Sequence, residues 1–247
     1  MIENCLQIKN LSFGYSDNGM VLRNINFKAS YGEFVSILGR NGIGKSTLFK
    51  CILGIIKNYK GDILIDGKNM RCLSAKTLAK KIAYIPQSHY PSFNYSVLDM
   101  VLMGSANQLS SFGSPGKRQE DEAYKALSMV KIAHLANRGF GQISGGEQQL
   151  TLMARAILQN AKIWILDEPL ASLDYGNQIR VLTQLKNLSK EGYCIVQSIH
   201  NPFQASEFSD RLIAMSDGSI IWDGFPKDIS DKELISIVYG TDIIREG

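Results

Sequence analysis

The sequence predicts an α/β protein with a parallel core sheet, and three patterns indicate this fold class. Phe34–Leu38 is an apolar run that contains only one polar residue, Ser36, and Ile163–Leu166 is a continuous apolar run, which is typical of a strand buried on both faces. The first run leads into a glycine-rich turn and then into a helical pattern over 47–56. Residues 5–13 and 21–29 instead alternate between apolar and polar side chains. We therefore expect antiparallel N-terminal strands with one wet face beside the α/β core.

The other helices and strands are predicted from the spacing of apolar residues, which is about 3.6 residues in a helix and two in a strand. A helical insertion of roughly 88–143 is expected between two core strands, and the helical subdomain as a whole is expected over about 88–160. Pro86 ends the strand before this insertion. Further strands are predicted at 62–65, 82–85, 193–198, 211–215 and 219–222, and helices at 97–103, 119–130, 147–159, 175–188 and 231–239.

Composition limits the class of protein. A chain of 247 residues suits one large α/β domain or two small ones, and 45% apolar with 20% charged residues is ordinary for a globular protein. The net charge of +4 is unclustered, which argues against nucleic acid as the main partner. No apolar run approaches the roughly 20 residues of a membrane span, and residues 1–4 do not resemble a signal sequence.

The four cysteines form neither a CxxC pair nor a metal-binding spacing. This pattern is typical of reduced thiols in the cytosol. We therefore expect buried, structural cysteines at Cys5, Cys51, Cys72 and Cys194.

Residues 39–47 form the strongest functional motif, with the spacing G-x-x-x-x-G-K-[ST] between a strand and a helix. Such a loop binds phosphate because its backbone N–H groups line an anion nest at the helix N-terminus. Lys45 would reach the β- and γ-phosphates, and the Ser46 hydroxyl would bind magnesium. The alternative is an ordinary glycine-rich turn, but four fixed positions with the correct flanks argue against it. The predicted nucleotide-binding residues are Gly39, Arg40, Asn41, Gly42, Ile43, Gly44, Lys45, Ser46 and Thr47.

Two adjacent carboxylates, Asp167 and Glu168, follow the buried run Ile163–Leu166. Strand ends of a parallel sheet share one edge, which is where the loop 39–47 must also lie. Asp167 would hold magnesium. Glu168 would accept a proton from, or orient, the attacking water. The alternative is a pair of acids in an ordinary loop, and the phosphate-binding motif makes that reading the weaker one.

The segment Ile143-Ser144-Gly145-Gly146-Glu147 resembles the LSGGQ signature of the ATP-binding cassette (ABC) family, and nearly the whole chain is similar to that family. In sequence alone, Ser144 and Glu147 are also a capping box that opens a helix. The resemblance implies a single ABC domain over 1–247: a P-loop NTPase with a RecA-like core sheet, an antiparallel β subdomain and a helical subdomain. It also implies hydrolysis of ATP with Mg²⁺ in a head-to-tail homodimer, with Ser144, Gly145, Gly146 and Glu147 contacting nucleotide held by the other subunit.

The resemblance assigns roles to four further residues. Tyr15 would stack on adenine, and Gln87 would contact magnesium or water and respond to the membrane partner. Asp174 lies in the segment that resembles the D-loop at the dimer interface, and His200 matches the switch histidine on the γ-phosphate. Catalytic roles are thus implied for Lys45, Gln87, Glu168 and His200, and metal contacts for Ser46, Gln87 and Asp167. Without the resemblance, Tyr15 would be a core tyrosine, and His89 and His134 are interpreted as structural or solvated.

The sequence departs from the family pattern at five positions. Ile143 replaces leucine, and Glu147 replaces glutamine, which adds negative charge near a phosphate. Gln148 stands where arginine is frequent, Asn201 where aspartate is usual, and Arg40 at a common proline position. None of these changes removes a group expected to contact nucleotide, so the chemistry is expected to be intact, and the sequence does not fix the turnover rate.

Residues 93–104 look like the importer subgroup that handles metal chelates: iron–siderophores, haem, cobalamin and, in some members, molybdate. This resemblance implies peripheral attachment to transmembrane permease subunits at the cytoplasmic face of the inner or plasma membrane, with a substrate-binding protein as an indirect partner. A chromosome-type ABC ATPase would carry long heptads, and 88–143 has none. A regulatory cassette that hydrolyses ATP poorly is the other alternative, against which intact Gln87, Glu168 and His200 argue.

Overall fold

The computed structural model describes residues 4–15, 19–87, 93–108 and 114–240. His89 therefore lies outside the described residues. The strands are β1 (Asn4–Gly14), β2 (Met20–Ser30), β3 (Phe34–Leu38), β4 (Lys60–Ile65), β5 (Lys68–Asn69), β6 (Ile82–Ile85), β7 (Ile163–Leu166), β8 (Cys194–Ile199), β9 (Arg211–Ser216) and β10 (Ser219–Gly224). The α-helices are α1 (Lys45–Ile52), α2 (Ala75–Lys81), α3 (Val97–Leu102), α4 (Lys117–Met129), α5 (Gly145–Gln159), α6 (Tyr175–Lys190), α7 (Pro202–Phe208) and α8 (Asp231–Tyr239).

The core sheet has six strands in the order β10-β9-β3-β8-β7-β6. All neighbouring pairs from β9 to β6 are parallel, and β10 joins the edge as an antiparallel hairpin with β9. The predicted α/β class is therefore confirmed. Because parallel strands point the same way, the carboxyl ends of β3, β6, β7 and β8 lie along one edge of the sheet.

A second sheet has four strands in the order β2-β1-β4-β5, all paired antiparallel. It packs on one face of the core sheet, while helices cover the other. Successive residues of β7 therefore face opposite sides of the core sheet. Ile163 and Ile165 pack with the antiparallel sheet, whereas Trp164 and Leu166 pack with the helices. Burial on both faces explains why this strand is a continuous apolar run.

The predicted alternation of β2 is wrong in its first half. Leu22, Ile25 and Phe27 are all buried, whereas Arg23 is exposed. Asn24 adopts a left-handed conformation with φ of 51°, and the pairing with β1 shifts its register beside it. This extra residue moves Leu22 onto the buried face, which simple two-residue periodicity does not reveal.

Between β6 and β7 the described residues form α3, α4, α5 and several short 3₁₀ turns. Helices α2 and α7 are absent from the prediction. Helix α2 has no fully buried residue, so it lacks a clear apolar face. Helix α7 is short and begins at an Asn201 cap followed by proline. The predicted helix over 47–56 ends early, at Ile52, just before Gly54 turns the chain with a φ of 70°.

All four cysteines are free thiols. Cys5, Cys51 and Cys194 are buried as expected, but the expectation is wrong for Cys72, which is exposed. It ends a short 3₁₀ turn, Met70–Cys72, in which only Met70 is buried. Among the described residues, no helix is both long and apolar enough to cross a membrane.

Candidate active site

The glycine-rich loop 39–47 joins the end of β3 to the start of α1. Gly44 has a φ of 113°, and a Cβ atom there would lie 3.0 Å from the Val21 carbonyl oxygen and 3.0 Å from a Leu22 methyl. Only glycine fits this close approach to β2 in this conformation. The side chains of Arg40, Asn41 and Ser46 are exposed, so the loop presents its hydroxyl and backbone groups to solvent.

Lys45 is folded back onto its own loop. Its Nζ donates hydrogen bonds to the carbonyl oxygens of Gly39 (2.7 Å) and Arg40 (3.1 Å), and the residue is only 4% exposed. Burial lowers the pKa of this ammonium, and the nearby carboxylates of Glu168 and Asp167 act in the opposite direction. The loop therefore holds a buried cation whose hydrogen-bond partners are backbone carbonyls, and an anionic ligand can replace them.

A buried serine hydroxyl connects the two acidic residues. Ser198, at the end of β8, donates to Asp167 Oδ1 at 2.9 Å and accepts from the Glu168 N–H at 2.8 Å. Glu168 has a φ of 48°, a conformation that costs a non-glycine residue free energy and clusters at functional sites. Sequence reasoning missed Ser198, whose only signal was a polar side chain inside a buried strand.

The Glu168 carboxylate lies between two predicted site residues. Its Oε2 accepts a hydrogen bond from Gln87 Nε2 at 3.1 Å, and its Oε1 lies 2.7 Å from His200 Nε2. The angle at the His200 N–H is too far from linear for a hydrogen bond, so Nε2 and Oε1 are close together without forming one. Gln149, which was not predicted, reaches the Gln87 carbonyl at a long 3.5 Å. The structure thus brings together Gln87, Glu168 and His200, which are far apart in sequence.

A small cavity of about 130 Å³ opens beside this cluster, lined by residues that include Glu168, Ser198, His200 and Asn201. A larger cavity of about 510 Å³ lies between the end of α1 and α2, near Leu53. Its lining has no carboxylate or histidine, so the candidate acid–base residues Glu168 and His200 line only the smaller of these two cavities.

Tyr15 directly follows β1 and is 45% exposed. Its ring meets Phe13 edge to face, with 4.9 Å between ring centroids. Phe13 pairs with Leu22, whose methyl would lie 3.0 Å from a Cβ atom on Gly44 of the loop. Tyr15 therefore offers a free aromatic face close to the loop, which a second ring can stack against.

The segment 143–147 is not part of this cluster. Among the described residues, none of its members forms a hydrogen bond or ion pair with the loop 39–47, Asp167 or Glu168. Ser144 caps α5: its N–H and hydroxyl donate to Glu147 Oε2 at 2.8 Å and 2.9 Å. The bond from the Ser144 N–H is the main reason that the pKa of Glu147 lies below its usual value. The carboxylate of Glu147 therefore interacts with the capping residue Ser144 of its own helix.

Asp174 has a similar capping role at the start of α6. Its Oδ1 accepts from the Asn177 N–H at 2.9 Å, and its Oδ2 accepts from the Asn177 side-chain amide at 2.6 Å. These bonds lower the pKa of Asp174. A Cβ atom on Gly146 would lie 2.5 Å from the Asn177 side chain, so the start of α6 packs tightly on the start of α5. Within one chain, Asp174 supports the 143–147 segment and makes no hydrogen bond to the loop 39–47.

Three departures from the family pattern have structural roles. The Gln148 amide donates to the carbonyls of Phe140 (3.1 Å) and Ile143 (3.4 Å), which holds the turn before α5. Asn201 caps α7, accepting from the N–H groups of Phe203 and Gln204. The Arg40 side chain is exposed, and only its carbonyl takes part in the loop. His134 is exposed as well.

Comparisons with known proteins agree with this geometry. An ATP-binding protein of an ABC transporter from Haemophilus influenzae, itself uncharacterized, is 41% identical over 236 residues, which are 96% of this chain and 89% of the relative. A Helicobacter pylori protein named for iron chelatin transport is 34% identical, covering 96% of this chain and 93% of its own. The phosphonates import ATP-binding protein PhnC 2 of Oceanobacillus iheyensis is also 34% identical, covering 95% of each chain.

Solved structures give the same result. A transporter described as of the metal-chelate ABC type, in an inward-facing conformation, superposes with a TM-score of 0.84 at 32% identity, over 96% of this chain and 89% of that one. A dimeric bacterial ABC transporter cassette superposes with a TM-score of 0.77 at 28% identity, over 90% and 98%. The family model described as ABC transporter matches residues 22–171. This chain therefore belongs to the ABC transporter family, as one of its ATP-hydrolysing cassettes.

Proposed function

We propose that this chain is the ATPase subunit of an ABC importer and powers uptake of a metal chelate through separate permease subunits. The observation that carries the catalytic part is the meeting of Gln87, Glu168 and His200 at the sheet edge that also bears Lys45. The chain is proposed to be a single ABC domain over 1–247, with the helical subdomain at about 88–160.

Hydrolysis follows from what these side chains can do when ATP binds. Lys45 Nζ exchanges the carbonyls of Gly39 and Arg40 for oxygens of the β- and γ-phosphates. Glu168 takes the proton of a water whose oxygen attacks the γ-phosphorus, and the bond to the bridging oxygen breaks to release ADP. His200 donates to a γ-phosphate oxygen, and the Gln87 amide keeps the Glu168 carboxylate in place.

The donor atoms left free at this edge fit a magnesium ion. Asp167 uses only Oδ1 toward Ser198, which leaves its second oxygen available. Gln87 uses its amide nitrogen toward Glu168, which leaves its carbonyl oxygen, and the Ser46 hydroxyl is exposed. A carboxylate, an amide oxygen and a hydroxyl are ligands that magnesium accepts beside phosphate oxygens. When bound, the ion would balance the charge that develops on the β- and γ-phosphates.

The site is completed by a second copy of the chain. Ser144, Gly145, Gly146 and Glu147 form the N-terminus of α5, a helix of 15 residues, and make no polar contact with the cluster of their own chain. Free N–H groups at a helix N-terminus favour an anion such as the γ-phosphate. A head-to-tail dimer brings them, with Asp174 beside them, to the partner's nucleotide, and the likeness to a dimeric cassette supports this arrangement.

Tyr15→Ala should raise the KM for ATP about 5- to 10-fold and lower kcat by less, because stacking on adenine stabilises ground and transition states alike. Steady-state ATPase kinetics measure both constants. Tyr15→Phe is the matched control: it retains the ring and removes only the hydroxyl, so its kinetics should be nearly those of the wild type. If phenylalanine is as damaging as alanine, the hydroxyl matters and stacking is the wrong account.

The permease is proposed to dock on the helical subdomain, over a shallow groove of about 420 Å³. The groove is lined by Tyr95, Asp99, Leu102, Met103, Ala106 and Pro115, and Phe93, whose ring meets Tyr95 edge to face, is 70% exposed. Exposed apolar side chains grouped in this way are typical of protein-binding surfaces. The resemblance implies that Gln87, which contacts Glu168, responds to the membrane partner. This docking would place the chain on the cytoplasmic face of the inner or plasma membrane.

Met103→Asp should abolish co-purification with the permease and leave the ATPase activity of the isolated chain unchanged, because it introduces a charge into the apolar groove. Met129→Asp is the matched control: Met129 is 43% exposed and lies outside the groove, whereas Met103 is 41% exposed. Co-purification of tagged complexes from membranes measures the effect. Equal recovery of permease with both variants would place the docking surface elsewhere.

The substrate class rests on the relatives, because the transported molecule does not touch this subunit. One relative is named for iron chelatin and another for phosphonates, and residues 93–104 resemble the metal-chelate subgroup. Transport by the full complex with its permease and binding protein should be measured for a ferric siderophore, haem, cobalamin, molybdate and a phosphonate. Uptake of one of the first four supports the proposal. Uptake of the phosphonate alone contradicts it.

A further inference from the structure

The C-terminal helix α8 reaches the candidate active site through one side chain. The hydroxyl of Tyr239, the last residue of this helix, donates a hydrogen bond to the backbone carbonyl of His200. Burial raises the pKa of Tyr239, which keeps the phenol protonated and able to donate. These two residues are 39 positions apart, and nothing in the sequence pattern links them.

Helix α8 is well anchored, so its last residue has a defined position. A capping box of Ser230 and Glu233 opens the helix, and Leu234 and Val238 are buried in the main core. Asp231, at the other end from Tyr239, accepts a hydrogen bond from the Ser206 hydroxyl of α7 at 3.2 Å. The helix thus holds the segment from His200 to α7 at two points.

His200 has few other constraints. It is the single residue between the end of β8 at Ile199 and the Asn201 cap of α7. Among the described side chains, none forms an in-line hydrogen bond with its ring. The Glu168 Oε1 atom lies 2.7 Å from His200 Nε2, but not in the direction of the N–H bond. An imidazole that lacks a hydrogen-bond partner to fix its orientation depends on its backbone for position. The hydrogen bond from Tyr239 is made to that backbone.

We infer that Tyr239 is a positioning residue for ATP hydrolysis. The hydrogen bond from its hydroxyl fixes the orientation of the His200 peptide group, and this orientation sets the direction in which the imidazole points beyond Glu168. The inference rests on the proposed role of His200 at the γ-phosphate. Because the contact is to the switch residue and not to the nucleotide loop, it acts on the chemical step and leaves ATP binding unaffected.

Tyr239→Phe tests this with the smallest possible change, since it removes the hydroxyl and keeps the ring. We expect kcat to fall about 3- to 10-fold, the factor of one ordinary hydrogen bond, with KM for ATP changed by less than about twofold. Tyr31→Phe is the matched control. The Tyr31 hydroxyl donates to Asp66 at 2.8 Å, between the turns that directly follow β2 and β4, so the variant loses a tyrosine hydrogen bond that does not involve His200 and should keep the wild-type kcat.

The decisive measurement is a double-mutant cycle with His200→Ala, using single-turnover hydrolysis of labelled ATP. If Tyr239 acts through His200, Tyr239→Phe should cause no further loss in the His200→Ala background. The same fold-loss in both backgrounds, a parallel rise in KM, an unchanged kcat, or an equal effect of Tyr31→Phe would each overturn the inference while leaving the role of His200 in place. An unchanged kcat in His200→Ala alone would instead overturn that role, and the positioning role with it.

Discussion

Lys45→Ala should weaken ATP binding about 10- to 100-fold and abolish measurable hydrolysis. Lys45 Nζ donates hydrogen bonds to the carbonyls of Gly39 and Arg40, inside a loop that shields it from water. A triphosphate that enters this loop gains a partly desolvated cation, and charge-assisted hydrogen bonds of this kind contribute about 1.5–3 kcal/mol. The same cation balances charge in the transition state, so hydrolysis loses more than binding does.

The folded state should tolerate the Lys45→Ala change, because removing a buried cation also relieves the desolvation that lowers its pKa. Lys50→Ala is the matched control: it lies on the same helix, α1, but its side chain is exposed. Titration with labelled ATP and a phosphate-release assay measure binding and turnover. Unchanged affinity and turnover in Lys45→Ala, or equal losses in Lys50→Ala, would refute the assignment of the loop.

The elements best predicted from the sequence are those whose burial pattern is simple. Strands β6 and β7 have the predicted bounds, because each is a short apolar run stopped by a proline or an acid. Parallel strands end at a common edge, which is why Gln87, Glu168 and His200 meet although nothing local links them. Helices α2 and α7 escaped prediction because they are short and are defined by caps more than by an apolar face.

Roles that depend on tertiary hydrogen bonds were less predictable. Ser198 and Tyr239 have no motif, and each acts through a bond to a distant part of the chain. The capping box of Ser144 and Glu147 was predicted and is present, and its hydrogen bond places the Glu147 carboxylate, whose charge was also expected near a phosphate, on the Ser144 N–H. Asp174, expected to contact nucleotide, first satisfies the N-terminus of its own helix. Sequence spacing identifies such residues and does not fix where their side chains point.

Glu168→Gln should bind Mg–ATP, hydrolyse it at least about 100-fold more slowly, and accumulate as a dimer. The amide keeps the size of the side chain and can still hydrogen-bond with Gln87 and reach His200, but it cannot take up the proton of the attacking water. ATP bridges two chains when Ser144–Gly146 of one copy covers the phosphates of the other, and hydrolysis removes the γ-phosphate on which this adhesion depends. The wild-type chain should therefore dimerise only transiently. Size-exclusion chromatography with ATP and magnesium measures the dimer.

Adding Ser144→Arg to Glu168→Gln should abolish the dimer and spare nucleotide binding, because the bulk and charge fall at the interface and not in the loop 39–47. The substitution also removes the cap of α5, which costs about 1 kcal/mol of stability. Ser230→Arg in the same background controls for this loss: Ser230 is also exposed and forms the same kind of capping box, with Glu233, on α8. That control should still dimerise. A Glu168→Gln variant that stays monomeric at saturating ATP, or a Ser144→Arg double variant that dimerises as well as its Ser230→Arg counterpart, would refute the shared site.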